Sequence, residues 1–270
     1  MDSARIVRQR ILLLGAGGFI GKSLQKLLQD EYEVHVLNRK SKYFDLDIES
    51  SNPDVVINCS ASQADANFLD SIEANLYHQM KCLSSISKAR RTSFKWVQIG
   101  SYFELQIISG RSDYYSKHKE LCRAILADAH REGLINLTTI FLPHIFGEGE
   151  NPKRLSPYLR QQFKKGEVAN ISSGIQYLPL LSLQDATTAI IKAIETDQLV
   201  CSATPIWHGQ ITELASIFKE RLRSDLLTLN PKTVSVDAEF PKVIFPPAVK
   251  GWEPKMHLED FLASLGLAKN

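Results

Sequence analysis

The chain has 270 residues, of which 44% are hydrophobic and 23% charged, so it can bury a substantial core in one α/β domain or in a main domain with a smaller appendage. Its formal net charge of +2 is too small for nucleic acid or an anionic membrane to be the main partner. The first uncharged run, residues 11–21, is shorter than the roughly 20 apolar residues of a transmembrane helix and lacks a secretory cleavage pattern.

Short apolar strands alternate with helical patterns in the first half of the chain. The hydrophobic spacing predicts strands at 11–14, 33–37, 55–58, 94–99 and 137–142, and helices at 19–29, 68–86 and 113–129. This alternation is typical of a Rossmann-type, doubly wound parallel sheet with helices on both faces. We expect a dinucleotide-binding domain at 1–142 and a mostly substrate-binding region at 143–270, from which a segment at about 177–197 returns to the first domain.

Glycines separate the first strand from the first helix. Gly15, Gly18 and Gly21 form the pattern G-x-x-G-x-x-G, which permits a tight turn and close backbone approach. The free N–H groups at the start of the helix attract a pyrophosphate. A turn with a purely structural role is the alternative, but the strand–turn–helix context favours a dinucleotide. We expect Phe19 and Ile20, which follow Gly18 directly, to contact the dinucleotide as well.

The end of the second strand distinguishes between the two nicotinamide cofactors. An acidic residue at this place binds the ribose 2′-hydroxyl of NAD, but the chain has Asn38 and Arg39. A guanidinium can hold a 2′-phosphate through charge-assisted hydrogen bonds. NADP is therefore favoured over NAD. The alternative is that these residues form a solvated basic turn that binds no ligand.

A tyrosine and a lysine stand four residues apart in the third predicted helix. Tyr115 and Lys119 would share one helix face, and an adjacent ammonium favours the phenolate form of a tyrosine. Such a phenol can protonate a carbonyl oxygen that receives hydride, or remove the proton in the reverse direction.

These motifs, with others along the chain, resemble the extended short-chain dehydrogenases/reductases, the branch that includes sugar-nucleotide epimerases, dehydratases and 4-keto-reductases. The resemblance runs from about residue 10 to 266. The segments that carry it are GAGGFIG at 15–21, FDLDI at 44–48, DVVINCSAS at 54–62, EANLYHQMKCL at 73–83, VQIGSYFE at 97–104, YSKHK at 115–119, FLPHIFGEGENP at 141–152, LLSLQDATTAI at 180–190 and GWEPKMHLEDFLASLG at 251–266.

The resemblance implies roles for particular residues. Tyr115 would be the acid/base, Lys119 would hold the nicotinamide ribose, and Ser101 would hydrogen-bond the substrate carbonyl. A slip of one position would put Tyr102 in the place of Ser101, so both are substrate-binding candidates. The remaining cofactor contacts that it implies are Asp45 and Leu46 near the adenine, Cys59, Ser60 and Ala61 after a central strand, and Pro143 and His144 beside the nicotinamide or the substrate.

The chain departs from the family where many members bind the substrate diphosphate with arginine. Leu178 stands at about that position, which leaves Arg154, with Lys153 and Arg160, as substitutes. Dehydratases also carry an Asp-Glu pair after the catalytic hydroxyl, whereas Tyr102 and Phe103 follow here. A nucleotide-linked sugar nevertheless stays the expected substrate.

Other features give weaker indications. The four cysteines are far apart and the histidines show no ligand spacing, so we expect reduced thiols, a cytoplasmic protein and no metal. Glu148 and Glu150 are expected in a solvated loop. Apolar residues of two helices favour either core packing or a homodimer face; they are Leu76, Leu83, Ile86, Cys122 and Ile125.

The sequence thus leaves three hypotheses for the function. The first is an NADP-dependent reductase of a nucleotide-linked 4-keto-6-deoxy sugar, in which Tyr115 protonates the oxygen. The second is a sugar-nucleotide epimerase that keeps its NAD(P) tightly bound. The third is a non-catalytic NADP-binding protein, for which the tyrosine would be dispensable.

Overall fold

The structure is a computed structural model that describes residues 8–37, 44–62, 66–90, 92–111, 113–171, 176–222, 227–229 and 242–267. Its strands are β1 (Arg10–Leu14), β2 (Glu33–Leu37), β3 (Val55–Asn58), β4 (Phe94–Ser101), β5 (Ile135–Leu142), β6 (His144–Phe146), β7 (Ala169–Ile171), β8 (Tyr177–Ser182), β9 (Val200–Ser202), β10 (Trp207–Gln210) and β11 (Leu227–Leu229).

Helices connect most of these strands. They are α1 (Phe19–Leu28), α2 (Phe44–Ser51), α3 (Phe68–Ile72), α4 (His78–Ala89), α5 (Tyr102–Leu105), α6 (Tyr114–Arg131), α7 (Leu155–Lys165), α8 (Leu183–Glu195), α9 (Ile211–Leu222) and α10 (Leu258–Ser264). A π-helical turn (Glu73–Tyr77) joins α3 to α4, and a 3-10 turn (Ile107–Ser109) follows α5.

The main sheet is parallel and runs in the order β2-β1-β3-β4-β5-β9. The five predicted strands coincide with β1 to β5, so the Rossmann-type fold class is confirmed. The chain passes from β1 to β2 on one side and then crosses to β3 on the other side of β1. In such sheets the connections diverge at this point and open a crevice at the carboxyl ends of the strands, where ligands bind.

Successive residues of β1 supply the cores on the two faces of the sheet, because side chains alternate along a strand. Ile11 and Leu13 face the cluster that includes α1 and α8, whereas Leu12 and Leu14 face the cluster that includes α4 and α6. All four side chains are at most 6% exposed. This two-sided burial explains why the strand reads as a continuous apolar run.

The long predicted helix at 68–86 has an irregularity that its apolar spacing did not indicate. A π-helical turn interrupts it, and the buried Asn75 lies within that turn. The Asn75 amide Nδ2 donates to Ser62 Oγ at 2.7 Å and to Ser71 Oγ at 3.1 Å, and its Oδ1 accepts from the Ser62 N–H at 3.1 Å. The turn therefore ties this helix to the loop after β3.

The apolar residues considered for a homodimer face belong largely to the core. Leu83, Ile86 and Cys122 are at most 9% exposed and pack in the cluster between α4, α6 and the sheet. For these three residues the structure therefore supports core packing, the alternative to a homodimer face.

A second layer forms after β5. The three-stranded sheet β10-β8-β6 packs with α7, α9 and α10 around Phe146, Leu159, Phe218 and Phe261. In contrast, α8 packs on the main sheet, and β9 extends that sheet beside β5. The predicted boundary at 142 and the predicted returning segment at 177–197 stay predictions about domain organisation.

Among the helices of the described residues, none is both long enough and apolar enough to cross a membrane. Within the same residues, no group of three or more His, Cys, Asp or Glu side chains could hold a metal ion. The thiols of Cys59, Cys82, Cys122 and Cys201 are free.

We expect Gly21→Ala to lower the free energy of unfolding by about 1–3 kcal/mol, as overpacking does. An alanine Cβ at position 21 would collide with the Gly15 carbonyl oxygen and lie 2.7 Å from Ala16 Cα. Helix propensity alone would favour alanine by about 1 kcal/mol. Chemical denaturation measures the change, with Gly17→Ala as the control because nothing lies within 4 Å of its Cβ. Equal stability of the two variants would contradict this packing.

Candidate active site

Helix α6 begins at the carboxyl edge of the main sheet and presents Tyr115 and Lys119 on one face. The Asp113 side chain caps the helix by accepting the Ser116 N–H at 2.9 Å. The Lys119 Nζ lies 5.8 Å from the centre of the Tyr115 ring and donates to the Ile99 carbonyl at 2.7 Å. The predicted pair is therefore brought together, and the ammonium is anchored on strand β4.

Lys119 is buried, with only 3% of its surface exposed, yet it stays charged. Burial on its own would lower the pKa of Lys119, but the neighbouring Tyr115 and Glu104 favour the ammonium and raise the pKa overall. A fixed positive charge of this kind stabilises negative charge on a nearby oxygen. The arrangement thus suits a phenol that gives up a proton.

Ser101 ends β4 and caps the short helix α5. Its hydroxyl accepts the Phe103 N–H at 3.3 Å, and its own N–H donates to Glu104 Oε1 at 2.7 Å, which is a capping box. The Phe103 ring centre lies 6.2 Å from that of Tyr115, so the segment that Ser101 caps packs against the start of α6. Ser101 is partly exposed, whereas Tyr102 is only 7% exposed.

Two residues with charged side chains near this site were not predicted as part of it. Glu104 is 5% exposed, and its Oε2 lies 3.8 Å from Arg123 Nε; burial raises the pKa of Glu104, although Lys119 and the Ser101 N–H oppose this. Arg111 lies 3.8 Å from the centre of the Phe103 ring and pairs with Asp113. The Ser-x-x-Glu spacing of a capping box was a sequence signal for Glu104.

The glycine turn lies directly against the loop after β3. An alanine Cβ at Gly15 would lie 2.6 Å from the Ser60 nitrogen and 2.8 Å from the Cys59 carbonyl carbon, and the Gly15 φ is +80°. Gly18 donates its N–H to the Gly15 carbonyl at 3.0 Å and precedes α1 without a side-chain cap. Within the described residues, the N-cap position of α1 thus supplies no side chain to its first N–H groups.

The loop after β3 is held by buried polar side chains. The Asn58 Oδ1 accepts from the Ser60 N–H at 3.1 Å and from its hydroxyl at 2.5 Å, and the Asn58 amide donates to Gln98 at 2.8 Å. Burial raises the pKa of the Cys59 thiol, which keeps it protonated. Ala61 is exposed. Cys59 and Ser60 thus lie against the glycine turn, and the contact of residues 59–61 with a cofactor stays a prediction.

Other predicted cofactor contacts have different outcomes. Asn38 and Arg39 lie outside the described residues. Asp45 and Leu46 lie in the first turn of α2, a helix that the sequence patterns did not predict. The structure does not describe their side chains. Phe19 and Ile20 begin α1 and pack partly against the core.

Pro143 and His144 follow the carboxyl end of β5, whose last residue pairs with Ser101. The His144 Nε2 lies 3.4 Å from Glu150 Oε1, and Glu150 is only 7% exposed. The predicted solvated loop is therefore wrong for Glu150, although Glu148 is exposed. The packing of the turn against other elements buries the carboxylate, and no local pattern signals this.

Arg154 stands at the N-cap position of α7 and is exposed. Burial raises the pKa of Tyr102, and the positive charges of Arg111 and Arg154 oppose this rise. Leu178 is 6% exposed and packs in the apolar core of the second layer. The part that Arg154 would play in binding an anionic ligand stays a prediction.

The described residues fit a dinucleotide. Position 15, against the loop after β3, and position 21, against the glycine turn, have space only for glycine, and the start of α1 offers N–H donors for a pyrophosphate. Tyr115 and Lys119 stand beyond β4, where the other end of an extended ligand along the carboxyl edge would lie.

The chain is similar to several known proteins. A curated relative, the CDP-abequose synthase of Yersinia pseudotuberculosis, is 26% identical over 214 residues, which cover 70% of this chain and 74% of the relative. The solved structure of MoeE5 with UDP-glucuronic acid and NAD is 17% identical, with a TM-score of 0.75, and covers 95% of this chain and 97% of its own. RMD from Pseudomonas aeruginosa, solved with NADPH, is 16% identical with a TM-score of 0.75, and covers 95% of this chain and 96% of its own.

At these identities the two solved structures establish the fold alone. The family model for the NAD-dependent epimerase/dehydratase family matches residues 11–202, which is most of the chain and includes the glycine turn, Ser101, Tyr115 and Lys119. This match confirms the resemblance inferred from the sequence and identifies an enzyme that depends on a nicotinamide cofactor. The chain belongs to the NAD-dependent epimerase/dehydratase family.

Proposed function

We propose that the protein is an NADP-dependent reductase of a keto sugar linked to a nucleotide, of the 4-keto-6-deoxy type. The observation that carries this proposal is the Tyr115–Lys119 pair, with a buried and charged ammonium 5.8 Å from the centre of a phenol ring. The pair lies at the carboxyl edge of a sheet whose crevice fits a dinucleotide.

Tyr115 would donate its phenolic proton to the substrate oxygen. The Lys119 ammonium, held by the Ile99 carbonyl, would stabilise the negative charge left on the phenol oxygen. The Ser101 hydroxyl would hydrogen-bond the same substrate carbonyl and fix its orientation. When bound, the nicotinamide supplies the hydride that the carbonyl carbon accepts.

The cofactor would lie across the crevice between β1 and β3. The N–H groups at the start of α1 would hold its pyrophosphate, and residues 59–61 would pack near the adenosine. Arg39 would pair with a 2′-phosphate, which favours NADP. NAD is the alternative, since the solved relatives described above contain either cofactor.

The substrate would bind over the site from the region after β5. Arg154 at the start of α7 and the nearby Tyr102 would contact it, with the guanidinium near the diphosphate. The name of the Yersinia relative, which refers to a CDP-linked sugar, supports a nucleotide-linked substrate. Tyr102 and Phe103 stand where dehydratases of this family carry an acidic pair, which favours reduction over dehydration.

We further propose a cytoplasmic homodimer. The free thiols are consistent with a reducing compartment. Leu69, Tyr77 and Leu121 are 71%, 60% and 46% exposed on α3, the π-helical turn and α6. These exposed apolar side chains, and not the buried residues of the same helices, would form the contact with a second copy.

The direct test is the oxidation of NADPH, followed by absorbance, with a panel of nucleotide-linked 4-keto-6-deoxy sugars. We expect stoichiometric oxidation with at least one of them and slower turnover with NADH. An epimerase is the second candidate, because the matched family is named for epimerases and dehydratases. An epimerase would purify with bound cofactor and would need none added. Absence of oxidation with the whole panel would overturn the reductase proposal.

We expect Tyr115→Phe to lower kcat by about 10²–10⁴-fold, because it removes the proton donor and leaves the ring. Tyr114→Phe is the matched control, since the neighbouring phenol is 50% exposed and should change kcat little. Steady-state kinetics on both variants measure the difference. Unchanged turnover in Tyr115→Phe would favour a non-catalytic role for the pair.

We expect Arg39→Ala to weaken NADPH binding by about 10-fold or more, because a charge-assisted contact with the 2′-phosphate is lost. Binding of NADH, which lacks that phosphate, should stay the same and serves as the internal control. Fluorescence titration with each cofactor gives the two dissociation constants. Equal weakening for both cofactors, or for neither, would contradict the assignment of NADP specificity to Arg39.

A further inference from the structure

A buried carboxylate and an imidazole lie together in the wall of the candidate site. The Glu150 side chain is 1% exposed and that of His144 is 13% exposed, and the His144 Nε2 lies 3.4 Å from Glu150 Oε1. Within the described part of the chain, neither oxygen of Glu150 has a hydrogen-bond partner, and neither does the His144 Nε2.

Each of these groups supplies what the other lacks. A buried carboxylate without a donor is strongly unfavourable, and so is a buried imidazole nitrogen without a partner. An imidazole N–H that donates to a carboxylate satisfies both groups, and such a carboxylate fixes the ring orientation and the protonated nitrogen. The two side chains are close enough to form this bond after a small movement of the ring.

The loop that carries Glu150 is held in place on both sides. Its turn is closed by the Glu150 N–H, which donates to the Gly147 carbonyl at 3.3 Å. A Cβ at Gly147 would lie 2.9 Å from Leu183 Cβ, and a Cβ at Gly149, whose φ is +83°, would lie 3.9 Å from the Phe19 ring. The loop therefore lies between the start of α8 and the start of α1.

His144 stands where a ligand at the carboxyl edge would pass. It follows Pro143 directly after β5, and the last residue of β5 is level with Ser101 on β4. The His144 Nε2 is buried and lies against Glu150, so a ligand would have to use the other ring nitrogen, Nδ1.

We propose that Glu150 is a positioning residue that accepts the Nε2–H of His144 and thereby makes Nδ1 a hydrogen-bond acceptor for a hydroxyl group of the substrate. This role rests on the proposed function, because the hydroxyl belongs to the sugar that is reduced. Glu150 itself does not touch the substrate in this arrangement. It selects the tautomer of the histidine that does.

The first test needs no activity. In protein labelled with ¹⁵N-histidine, we expect a protected Nε2–H signal from His144, assigned by its loss in His144→Gln. The signal should persist in Glu148→Gln, which changes an exposed carboxylate two residues away, and should lose its protection in Glu150→Ala. A wild-type His144 without a proton on Nε2, or a signal that Glu150→Ala leaves unchanged, would overturn the proposal.

The second test separates positioning from a general structural role. We expect Glu150→Ala to lower kcat/KM at least 10-fold with little change in NADPH affinity, and Glu150→Gln, whose side-chain oxygen still accepts, to restore most of the loss. The double variant His144→Gln/Glu150→Ala should be no worse than His144→Gln alone. Losses that multiply in the double variant would show that Glu150 does not act through His144.

The two tests fail independently. If the wild-type protein reduces none of the sugars, the proposed function fails, while the ¹⁵N signals still decide whether Glu150 holds His144. If Glu150→Ala does not fold, the wild-type signal and Glu150→Gln still decide the matter. In Glu150→Gln the Nε2–H should be retained, and its loss would contradict acceptance by the side-chain oxygen.

Discussion

The close approach of two loops at the carboxyl ends of β1 and β3 is the constraint on which the rest of the site depends. A side chain at Gly15 would meet the Ser60 nitrogen at 2.6 Å, and the loop that carries Ser60 is fixed in turn by Asn58 and, through Ser62, by Asn75. Because glycine allows this contact, α1 begins directly beside the loop after β3, and the N–H groups at its start are donors for a pyrophosphate. The space for a dinucleotide is therefore formed by the backbone at the glycines and not by side chains.

The chemistry depends on a second constraint, a charge buried on the other side of β3. Lys119 is held by a main-chain carbonyl of β4, and the neighbouring Tyr115 and Glu104 favour its ammonium form. A strand, a capped short helix and a long helix thus converge on one ammonium. Their convergence places a phenol and a hydroxyl at the same edge of the sheet.

The sequence predicted the features that local spacing determines. The strands β1 to β5, the glycine turn and the Tyr115–Lys119 face all follow from periodicity and motif spacing, and the structure contains them. The sequence patterns did not predict the burial of Glu150 or the π-helical turn at Asn75, because both features depend on contacts between segments far apart in the chain. The side chains of Leu83 and Ile86 show the same limit, since an apolar helix face has one pattern whether a core or a partner covers it.

The central claim is that the crevice at the glycine turn holds the cofactor so that its reactive end reaches Tyr115. A crystal structure of the protein with NADP⁺ tests this most directly. We expect the pyrophosphate at the start of α1, the adenosine beside residues 59–61, and the nicotinamide ribose within hydrogen-bond distance of Lys119. A dinucleotide bound away from the start of α1, or with its nicotinamide end remote from Tyr115, would contradict the account.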